Sequence, residues 1–470
     1  MAQPHQSLFP PFVDESESTQ PNPQYKPDKP ILGFSTWSTQ LLDKVSGYGG
    51  RHIKPWYYVA FFGWLPAFNE DNIKEISDVM KQRFPSYKYI NLDSGWSEGS
   101  DEYGRWVYRK DLFPSGLRAL SDYLAKNDHK LGLYILPGIR ADAIDNEAKV
   151  LGTDVLLADV VANRRNGNGF KGSTYAPDQY SDVIMKYYDS IADLFAEWGI
   201  GYVKVDGCGP GGGDPWYPFQ SPDNRECLSM MATGFQRHHI WMEISWYLDP
   251  SYAEDWVNIC NGVRVYIDIE SYSTSSMTTP YRVFQRMALT EKWAETGLVG
   301  KDHGMFVDLD IVAVGMTVDG QCVDGLWSDD IRRSYISFWA LVSSVFCLGS
   351  DPRMVPDKYV SMLNQPYILM IHQSGVMAKP IGSGNAQQNR KQVWWKTLSD
   401  GRICVGLFNV HIYPLLHGLS HEVSISFSEI GITKGDFFDV WEEKELGEYT
   451  EDYKVKLKPG ACQILLVTPK

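Results

Sequence analysis

Residues 201–213, GYVKVDGCGPGGG, join a short apolar strand to a glycine-rich loop, and Lys204 and Asp206 stand at the junction. Seven further segments of this kind recur along the chain: PILGFSTW (30–37), YKYINLDSGW (87–96), KLGLYILPG (130–138), HHIWMEIS (238–245), GVRVYIDI (262–269), GMFVDLDI (304–311) and VSSVFCLGSD (342–351). Short apolar runs that end in polar or glycine-rich turns are typical of buried parallel strands.

A helical pattern lies between two of these segments. In SDVIMKYYDSIADLFAEWG (181–199), Gly199 occupies the position of a C-terminal capping glycine, and the apolar residues of one face are Ile184, Tyr187, Ile191, Leu194 and Trp198. Eight apolar strands alternating with helices predict a (β/α)8 barrel. The alternative is a doubly wound sheet, which is not favoured because no G-x-G-x-x-G motif follows the first strand.

The pattern changes after about residue 375, where strand-like runs follow one another without a strong helix. These runs are KQVWWKTLSDGRICVGLFNV, HEVSISFSEI, GDFFDVWEE and YKVKLKPGACQILLVTPK. They predict an antiparallel β-sandwich. We therefore divide the 470 residues into an N-terminal polar arm (1–29), a catalytic (β/α)8 barrel (30–375) and a C-terminal β-sandwich domain (376–470).

Composition and charge argue against several classes of partner. The net charge of −14 and the lack of a basic tract disfavour nucleic acid and anionic membranes, and no apolar run reaches the length of about 18 residues that a membrane span needs. The N-terminus has no secretory signal pattern, no N-x-S/T sequon occurs, and the 7 cysteines are scattered. We therefore expect a cytoplasmic chain. Without a close Cys or His cluster, we expect no metal and no cofactor.

Chemically active side chains stand at the C-terminal ends of the predicted strands, where a (β/α)8 barrel carries its active site. An aspartate at such an end is often only a helix N-cap, and a nearby lysine or arginine only its ion partner. Nine such residues at corresponding ends favour a site, and paired carboxylates suit glycoside hydrolysis. The nine are Trp37, Asp93, Tyr134, Lys204, Asp206, Glu243, Arg264, Asp268 and Asp310.

In this order, the segments resemble glycoside hydrolase family 27, in the clan of the α-galactosidases, over residues 30–470. YVKVDGC is similar to the family's K-x-D-x-C nucleophile strand, and CNGVRVYIDIE is similar to its C-N-x-x-R-x-x-x-D-I acid/base strand. VDLDIVAVG resembles N-D-P-D-M-L-x-V-G, FWALVSSVFCLGSD resembles W-A-L-x-x-S-P-L-L-I-G-x-D, and GFSTW stands where the family has G-W-x-x-W. The resemblance implies a retaining, exo-acting α-glycosidase that works through a covalent glycosyl-enzyme.

The resemblance also implies residue roles. Asp206 would be the nucleophile, and Asp268 the general acid/base. We expect Lys204, beside Asp206, to favour its carboxylate form. The substrate-binding residues would be Lys204 and Arg264 on sugar hydroxyls, Glu243 near the 2-hydroxyl, Trp37 as the stacking floor, and Asp93, Tyr134 and Asp310 along the pocket.

The sequence departs from the family at Ser94, where galactosidases carry a second aspartate that reads the 4- and 6-hydroxyls of galactose. Serine gives weaker, uncharged hydrogen bonds, so we expect specificity shifted away from galactose, with isomaltose-type glucosides or arabinopyranosides as alternatives. A second departure is Met242, which replaces a disulfide-forming cysteine. Cys260 and Cys208 are therefore expected to be free thiols.

Two long loops follow the first and third strands, at 44–68 and 139–178. The first has seven aromatic residues within 17 positions, which predicts a lid, an extra sugar subsite or a subunit contact, and we expect a homo-oligomer. The second could narrow the mouth of the site. A transglycosylase is an alternative activity. A non-catalytic carbohydrate-binding protein is disfavoured because both Asp206 and Asp268 are present.

Overall fold

The computed structural model describes residues 25–41, 68–178, 181–214, 217–272, 276–318, 320–381, 391–412 and 420–470. Residues 1–24 of the predicted arm, and all of the 44–68 loop except Phe68, lie outside these ranges. The predicted role of that loop and the homo-oligomer stay predictions. The division of the chain at residues 29 and 375 also stays a prediction.

Eight parallel strands form a single sheet, and each overlaps one of the eight apolar segments of the sequence. They are β1 (Leu32–Ser35), β2 (Tyr89–Leu92), β3 (Lys130–Ile135), β4 (Ile200–Val205), β5 (Trp241–Ile244), β6 (Gly262–Arg264), β7 (Phe306–Asp308) and β8 (Phe346–Leu348).

The strands follow one another around the sheet in chain order, with β8 beside β1. The ring closes between β7 and β8, where Asp308 and Val345 form a parallel bridge and the Val345 amide donates to the Val307 carbonyl at 2.9 Å. The predicted (β/α)8 barrel is therefore confirmed, and the strand ends that carry the candidate residues point to one mouth.

Helices fill the connections between these strands. They are α1 (Trp37–Leu41), α2 (Glu70–Arg83), α3 (Leu117–Ala125), α4 (Ala141–Asp145), α5 (Asp182–Glu197), α6 (Arg225–Arg237), α7 (Ala253–Ile259), α8 (Pro280–Glu295), α9 (Asp329–Leu341), α10 (Asp357–Leu363) and α11 (Pro366–Gln373). The helix expected over 181–199 is α5. The Ser181 hydroxyl accepts from the Ile184 amide at its start, and Gly199 adopts a φ of +76° just past its end.

Short antiparallel sheets lengthen the loops that follow β2, β3, β4 and β7. The loop after β2 pairs Ser97–Ser100 with Trp106–Tyr108, and the loop after β3 places Thr174–Pro177 between Ile139–Arg140 and Val161–Asn166. The loop after β4 pairs Gly212–Asp214 with Tyr217–Gln220, and the loop after β7 pairs Thr317–Val318 with Gln321–Cys322. Since all four loops leave the carboxyl ends of barrel strands, they surround the mouth of the barrel.

The C-terminal part is an antiparallel β-sandwich, as predicted. Its strands are β9 (Lys379–Pro380), β10 (Lys391–Thr397), β11 (Ile403–Asn409), β12 (His421–Ser426), β13 (Lys434–Asp439), β14 (Lys444–Thr450), β15 (Asp452–Leu457) and β16 (Cys462–Pro469). One sheet has the order β9-β10-β11-β16-β13-β14 and faces the pair β12-β15. Val405, Ile425, Phe437 and Leu465 pack between the two sheets.

The outer face of the larger sheet packs on α9 of the barrel. The Phe338 ring lies 5.0 Å from the Trp394 ring and 6.1 Å from the Phe408 ring, centroid to centroid. Lys396 is buried in the same contact, where its ammonium donates to the Ala340, Ile371 and Val376 carbonyls and to a serine hydroxyl. This apolar contact joins the barrel to the sandwich.

Two further features bear on expectations drawn from the sequence. All seven cysteines are free thiols, including Cys208 and Cys260. Among the helices that the structure describes, none combines the length and hydropathy needed to cross a membrane.

Trp394 is fully buried in the contact between barrel and sandwich. We expect Trp394→Ala to lower the free energy of unfolding by about 3–5 kcal/mol, because the site loses packing and keeps a cavity. Urea denaturation followed by circular dichroism measures this loss. The matched control is Trp395→Ala, whose partly exposed side chain lies on the other face of β10 and should cost less. Equal losses in the two variants would contradict the assignment of Trp394 to the contact.

Candidate active site

Asp206 follows β4 and is held through both carboxylate oxygens. Its Oδ2 accepts a hydrogen bond from the Tyr134 hydroxyl at 3.0 Å, and its Oδ1 accepts one from the Ser245 hydroxyl at 2.8 Å. Tyr134 lies on β3 and Ser245 directly follows β5, so the two strands that flank β4 each supply a donor. The carboxylate is therefore fixed in orientation by neutral groups.

The chain turns away from Asp206 at Gly207. This glycine has a φ of +73°, and a Cβ placed on it would lie 3.1 Å from Phe170 Cδ2 and 3.2 Å from Asn168 Cβ. Glycine is favoured here because the backbone is left-handed and the adjoining loop is close. Gly207, the first glycine after the strand, thus lets the chain turn away from the strand while Asp206 stays in place.

Lys204 contacts Asp93 rather than Asp206. Its ammonium lies 3.1 Å from Asp93 Oδ2, across β3, and Asp93 Oδ1 accepts from the Ser94 amide at 2.8 Å. Burial opposes the charge, but Asp93 and, more weakly, Asp206 and Glu243 hold the pKa of Lys204 well above its usual value. Lys204 therefore pairs directly with Asp93, and its positive charge also interacts with Asp206.

The Tyr134 hydroxyl stays protonated between several acids. Burial raises its pKa well above the usual value, and the carboxylates of Asp206, Asp93 and Asp268 raise it further. The hydroxyl therefore acts as a donor to Asp206. Its interaction with both Asp206 and Asp268 indicates that the two predicted catalytic acids share one mouth.

Asp268 lies beyond the end of β6, with 36% of its side chain exposed. Its Oδ1 pairs with Arg264 Nη1 at 3.1 Å, and its Oδ2 accepts from the Tyr272 hydroxyl at 2.5 Å. The Tyr272 hydroxyl in turn accepts from Trp37 Nε1 at 3.3 Å. Trp37, at the start of α1, is thereby tied across the mouth to the segment that carries Asp268.

Arg264 is buried, with 2% of its side chain exposed, and contacts two further carboxylates. Its Nε lies 2.6 Å from Asp308 Oδ2, and its Nη1 lies 2.9 Å from Asp310 Oδ2. The register of β6 and β7 places Arg264 directly beside Asp308. Against the effect of burial, Arg264 and Arg286 hold the pKa of Asp310 below its usual value. Asp310 thus stays ionised in the buried cluster.

Glu243 lies beneath the mouth, on β5 between the two cationic residues. It is 2% exposed, accepts from the Tyr202 hydroxyl, and pairs in strand register with Lys204. Burial and the neighbouring Asp308 carboxylate raise the pKa of Glu243 well above its usual value. This environment favours the protonated form of Glu243, and its contact with the 2-hydroxyl of a sugar stays a prediction.

Ser94 is half-buried next to Asp93. Its carbonyl accepts from Gln40 Nε2 at 2.9 Å and its amide donates to Asp93, so its backbone is fixed from both sides. Within the part of the chain that the structure describes, the Ser94 hydroxyl makes no hydrogen bond to another residue. The nine strand-end residues and Ser94 thus lie at or just beyond the carboxyl ends of the barrel strands, around one mouth.

Sequence reasoning missed several residues of the site. Three of them stand two positions from a residue that it found: Ser245 after Glu243, Asp308 before Asp310, and Glu270 after Asp268. Since alternate residues of a strand share a face, testing each strand end at a spacing of two would have found these three. Tyr202 also stands two positions from a residue that was found, Lys204, but as a neutral donor it gave no charge signal, and neither did Tyr272.

One cluster of acids could hold a cation by spacing alone. Carboxylate oxygens of Asp268, Glu270 and Asp310 lie within 4.8 Å of one another. The Arg264 guanidinium already supplies positive charge to two of these acids, Asp268 and Asp310. We therefore assign no metal to this cluster.

Comparisons with known proteins agree with this geometry. The family described as the alpha galactosidase C-terminal beta sandwich domain matches residues 388–467. The chain is 25% identical over 418 residues to an α-galactosidase of Cyamopsis tetragonoloba, with 86% of this chain and 83% of the relative covered. It is also 25% identical over 413 residues to α-galactosidase 2 of Arabidopsis thaliana, with 85% of each chain covered.

Solved structures share the whole architecture. A family 27 β-L-arabinopyranosidase of Geobacillus stearothermophilus superposes with a TM-score of 0.76 at 21% identity, covering 94% of this chain and 97% of that one. An α-galactosidase of Saccharomyces cerevisiae superposes with a TM-score of 0.65 at 15% identity, covering 96% and 100%.

A (β/α)8 barrel with carboxylates at its mouth, followed by this sandwich, defines a glycoside hydrolase, and its substrate is a carbohydrate. The chain is α-galactosidase-like, and the sandwich-domain match, the α-galactosidase relatives and the family 27 structure together support glycoside hydrolase family 27. The expectation drawn from the sequence motifs is thereby confirmed at the level of fold, family and enzyme class.

Arg264 neutralises Asp308 and Asp310 inside the protein. We expect Arg264→Met to lower the free energy of unfolding by about 3–5 kcal/mol, because it leaves buried carboxylates without a counter-charge. Urea denaturation gives the value. The matched control is Arg118→Met, which removes an exposed pair with Asp122 and should change stability by about 1 kcal/mol or less. Identical unfolding midpoints for both variants would contradict this role for Arg264.

Proposed function

We propose that this enzyme is a retaining, exo-acting α-glycosidase in which Asp206 is the nucleophile and Asp268 the general acid/base. The observation that carries the proposal is the different surroundings of the two acids. Asp206 accepts hydrogen bonds from two neutral hydroxyls, whereas Asp268 belongs to a cluster of acids around Arg264. Two carboxyl groups in different environments are what a double-displacement glycosidase requires.

Asp206 has the properties of a nucleophile. It follows a rigid strand, and the Tyr134 and Ser245 hydroxyls fix both of its oxygens. In the proposed step, the Asp206 carboxylate attacks the anomeric carbon. As the new carbon–oxygen bond forms, the bond to the leaving group breaks and its electron pair moves to the leaving oxygen.

Asp268 is placed to give that oxygen a proton. Its side chain is 36% exposed and so open to the substrate, and Tyr272 and Arg264 orient it. After the aglycone leaves, the Asp268 carboxylate takes a proton from the water that attacks the glycosyl-enzyme. The acid is thereby restored, and the sugar leaves with its original anomeric configuration.

The remaining strand-end residues form the proposed sugar pocket. Lys204 and Asp93, 3.1 Å apart, would bind neighbouring hydroxyls as a charged pair. Trp37 would stack on the sugar ring, since its indole is anchored by Tyr272. Glu243, Arg264 and Asp310 lie deeper and would shape the floor beneath.

Ser94 is the proposed origin of a specificity shifted from galactose. Its hydroxyl is free of other described residues, and it occupies the place where the family's galactosidases have a second aspartate. β-L-Arabinopyranosides have the ring stereochemistry of α-D-galactosides but lack the C6 hydroxymethyl group. A structurally similar enzyme is a β-L-arabinopyranosidase, which favours this pentoside as the second candidate substrate.

Replacing each acid tests the mechanism. We expect Asp206→Ala to lose turnover and azide to restore it, giving a glycosyl azide of inverted configuration. We expect Asp268→Ala to lose about 10²- to 10⁴-fold in kcat/KM on phenyl glycosides and far less on 2,4-dinitrophenyl glycosides. With azide, this second variant should give a product of retained configuration.

Nuclear magnetic resonance of the azide products measures both configurations. The control is Asp189→Ala, which removes a surface carboxylate of α5 that pairs with Arg237. Wild-type turnover of Asp206→Ala on every accepted substrate would overturn its assignment.

A substitution at Ser94 tests specificity. We expect Ser94→Asp to raise kcat/KM for 4-nitrophenyl α-D-galactoside relative to the β-L-arabinopyranoside, because a carboxylate can bind the 6-hydroxyl. The measurement is the ratio of the two values, with the α-D-glucoside as a third substrate and Ser94→Ala as the uncharged control. An unchanged ratio would show that this position does not contact the sugar.

A further inference from the structure

The acid cluster behind the proposed proton donor contains one carboxyl group that no cation contacts. Carboxylate oxygens of Asp268, Glu270 and Asp310 lie within 4.8 Å of one another. Arg264 pairs with Asp268 at 3.1 Å and with Asp310 at 2.9 Å. In the described part of the chain, no lysine or arginine contacts Glu270, whose Oε1 accepts from the Ser38 hydroxyl at 2.6 Å.

Burial makes a third negative charge at this place unfavourable. Glu270 is 1% exposed, so water cannot screen its carboxyl group from the two neighbouring acids. Burial first, and then the Asp310 and Asp268 carboxylates, raise the pKa of Glu270 to about 8. Asp268 is more exposed than Glu270, and its carboxylate contacts Arg264 and Tyr272.

We propose that Glu270 is a positioning residue that shares one proton with Asp268 and so sets the alkaline limit up to which Asp268 can act as the proton donor. The inference rests on the proposed role of Asp268. Two acids this close lose their protons as a pair, and the last proton is held tightly because its loss leaves two adjacent anions. The proton can lie on Asp268, where the leaving oxygen takes it.

The other charged and titratable groups around Glu270 do not replace Asp268 as the acid that shares its proton. From the loop after β7, Asp310 is fixed by Arg264 and approached by Arg286 at 4.0 Å. The neighbouring phenols are those of Tyr272 and of Tyr335 on α9, and burial raises the pKa of both well above the usual value. The Arg282 guanidinium donates to the Asp268 carbonyl, not to a carboxylate. Asp268 is therefore the neighbour of Glu270 that can exchange a proton in the neutral range.

Glu270→Gln tests the proposal in the full-length enzyme. The amide keeps the size of the side chain and can accept from Ser38, but it cannot take up or lose the shared proton. Asp268 then titrates alone beside Arg264. We expect the alkaline limb of the kcat/KM profile to move to lower pH by about one unit or more. The substrate is phenyl α-D-galactoside, or phenyl β-L-arabinopyranoside if the enzyme prefers it.

Ser38→Ala should shift the same limb in the opposite direction. The Ser38 hydrogen bond favours the ionised form of Glu270, so its loss makes the pair hold the last proton more tightly and moves the limb to higher pH. A merely structural role would lower activity in both variants without opposite shifts. Glu291→Gln, at a buried glutamate of α8, is the control and should leave the limb unchanged. Thermal melts confirm that each variant is folded.

Failure of this inference can be told apart from failure of the proposed function. If Asp268→Ala slows phenyl and 2,4-dinitrophenyl glycosides equally, Asp268 is not the acid, and both proposals fall. If Asp268→Ala is selective but Glu270→Gln keeps the wild-type alkaline limb, only the inference about Glu270 is overturned. The inference about Glu270 is supported if Glu270→Gln and Ser38→Ala shift the alkaline limb in opposite directions on the phenyl glycoside. Neither variant should shift it on the 2,4-dinitrophenyl glycoside.

Discussion

One buried guanidinium organises the acidic side of this site. Arg264 lies within 3.1 Å of carboxylate oxygens of Asp268, Asp308 and Asp310, which come from the loop after β6, from β7 and from the loop after β7. Buried carboxylates are costly without a counter-charge, and one planar cation with several donors can serve more than one of them. The pairing of β6 with β7 is thus needed for the site, because these strands must be neighbours for Arg264 to reach all three acids.

The surroundings of Asp206 and of Asp268 differ in their chemistry. Around Asp206 the donors are hydroxyl groups, with the Lys204 ammonium directed to Asp93. Around Asp268 lies a cluster of acids that Arg264 contacts, with Arg286 4.0 Å from Asp310, and burial and the neighbouring acids favour the protonated form of Glu270. In the proposed mechanism, this difference in environment, rather than residue type, gives one aspartate the role of anion and the other the role of acid.

The sandwich is connected to the site through α9. Phe338 on this helix packs against Trp394 of the sandwich. On the side toward the site, Trp339 Nε1 donates to the Asp310 carbonyl at 2.8 Å, and the Tyr335 hydroxyl donates to the Ile311 carbonyl at 2.5 Å. Asp310 has a positive φ of 80°, an uncommon conformation for a non-glycine residue. We infer that the sandwich stabilises α9, which in turn holds this backbone in place.

The eight strands, the sandwich and the strand-end residues could be predicted from the sequence, because apolar periodicity and short motifs are local properties. Which side chains contact one another in the site depends on the tertiary structure. Lys204 pairs with Asp93 across an intervening strand, and Ser245, as a neutral donor, gave no charge signal in the sequence. In the sequence, Glu270 looks like an ordinary polar residue. In the structure it is buried beside two other acids, Asp268 and Asp310. Strand register, ring closure and burial are non-local, so they fix which groups meet and which proton each one keeps.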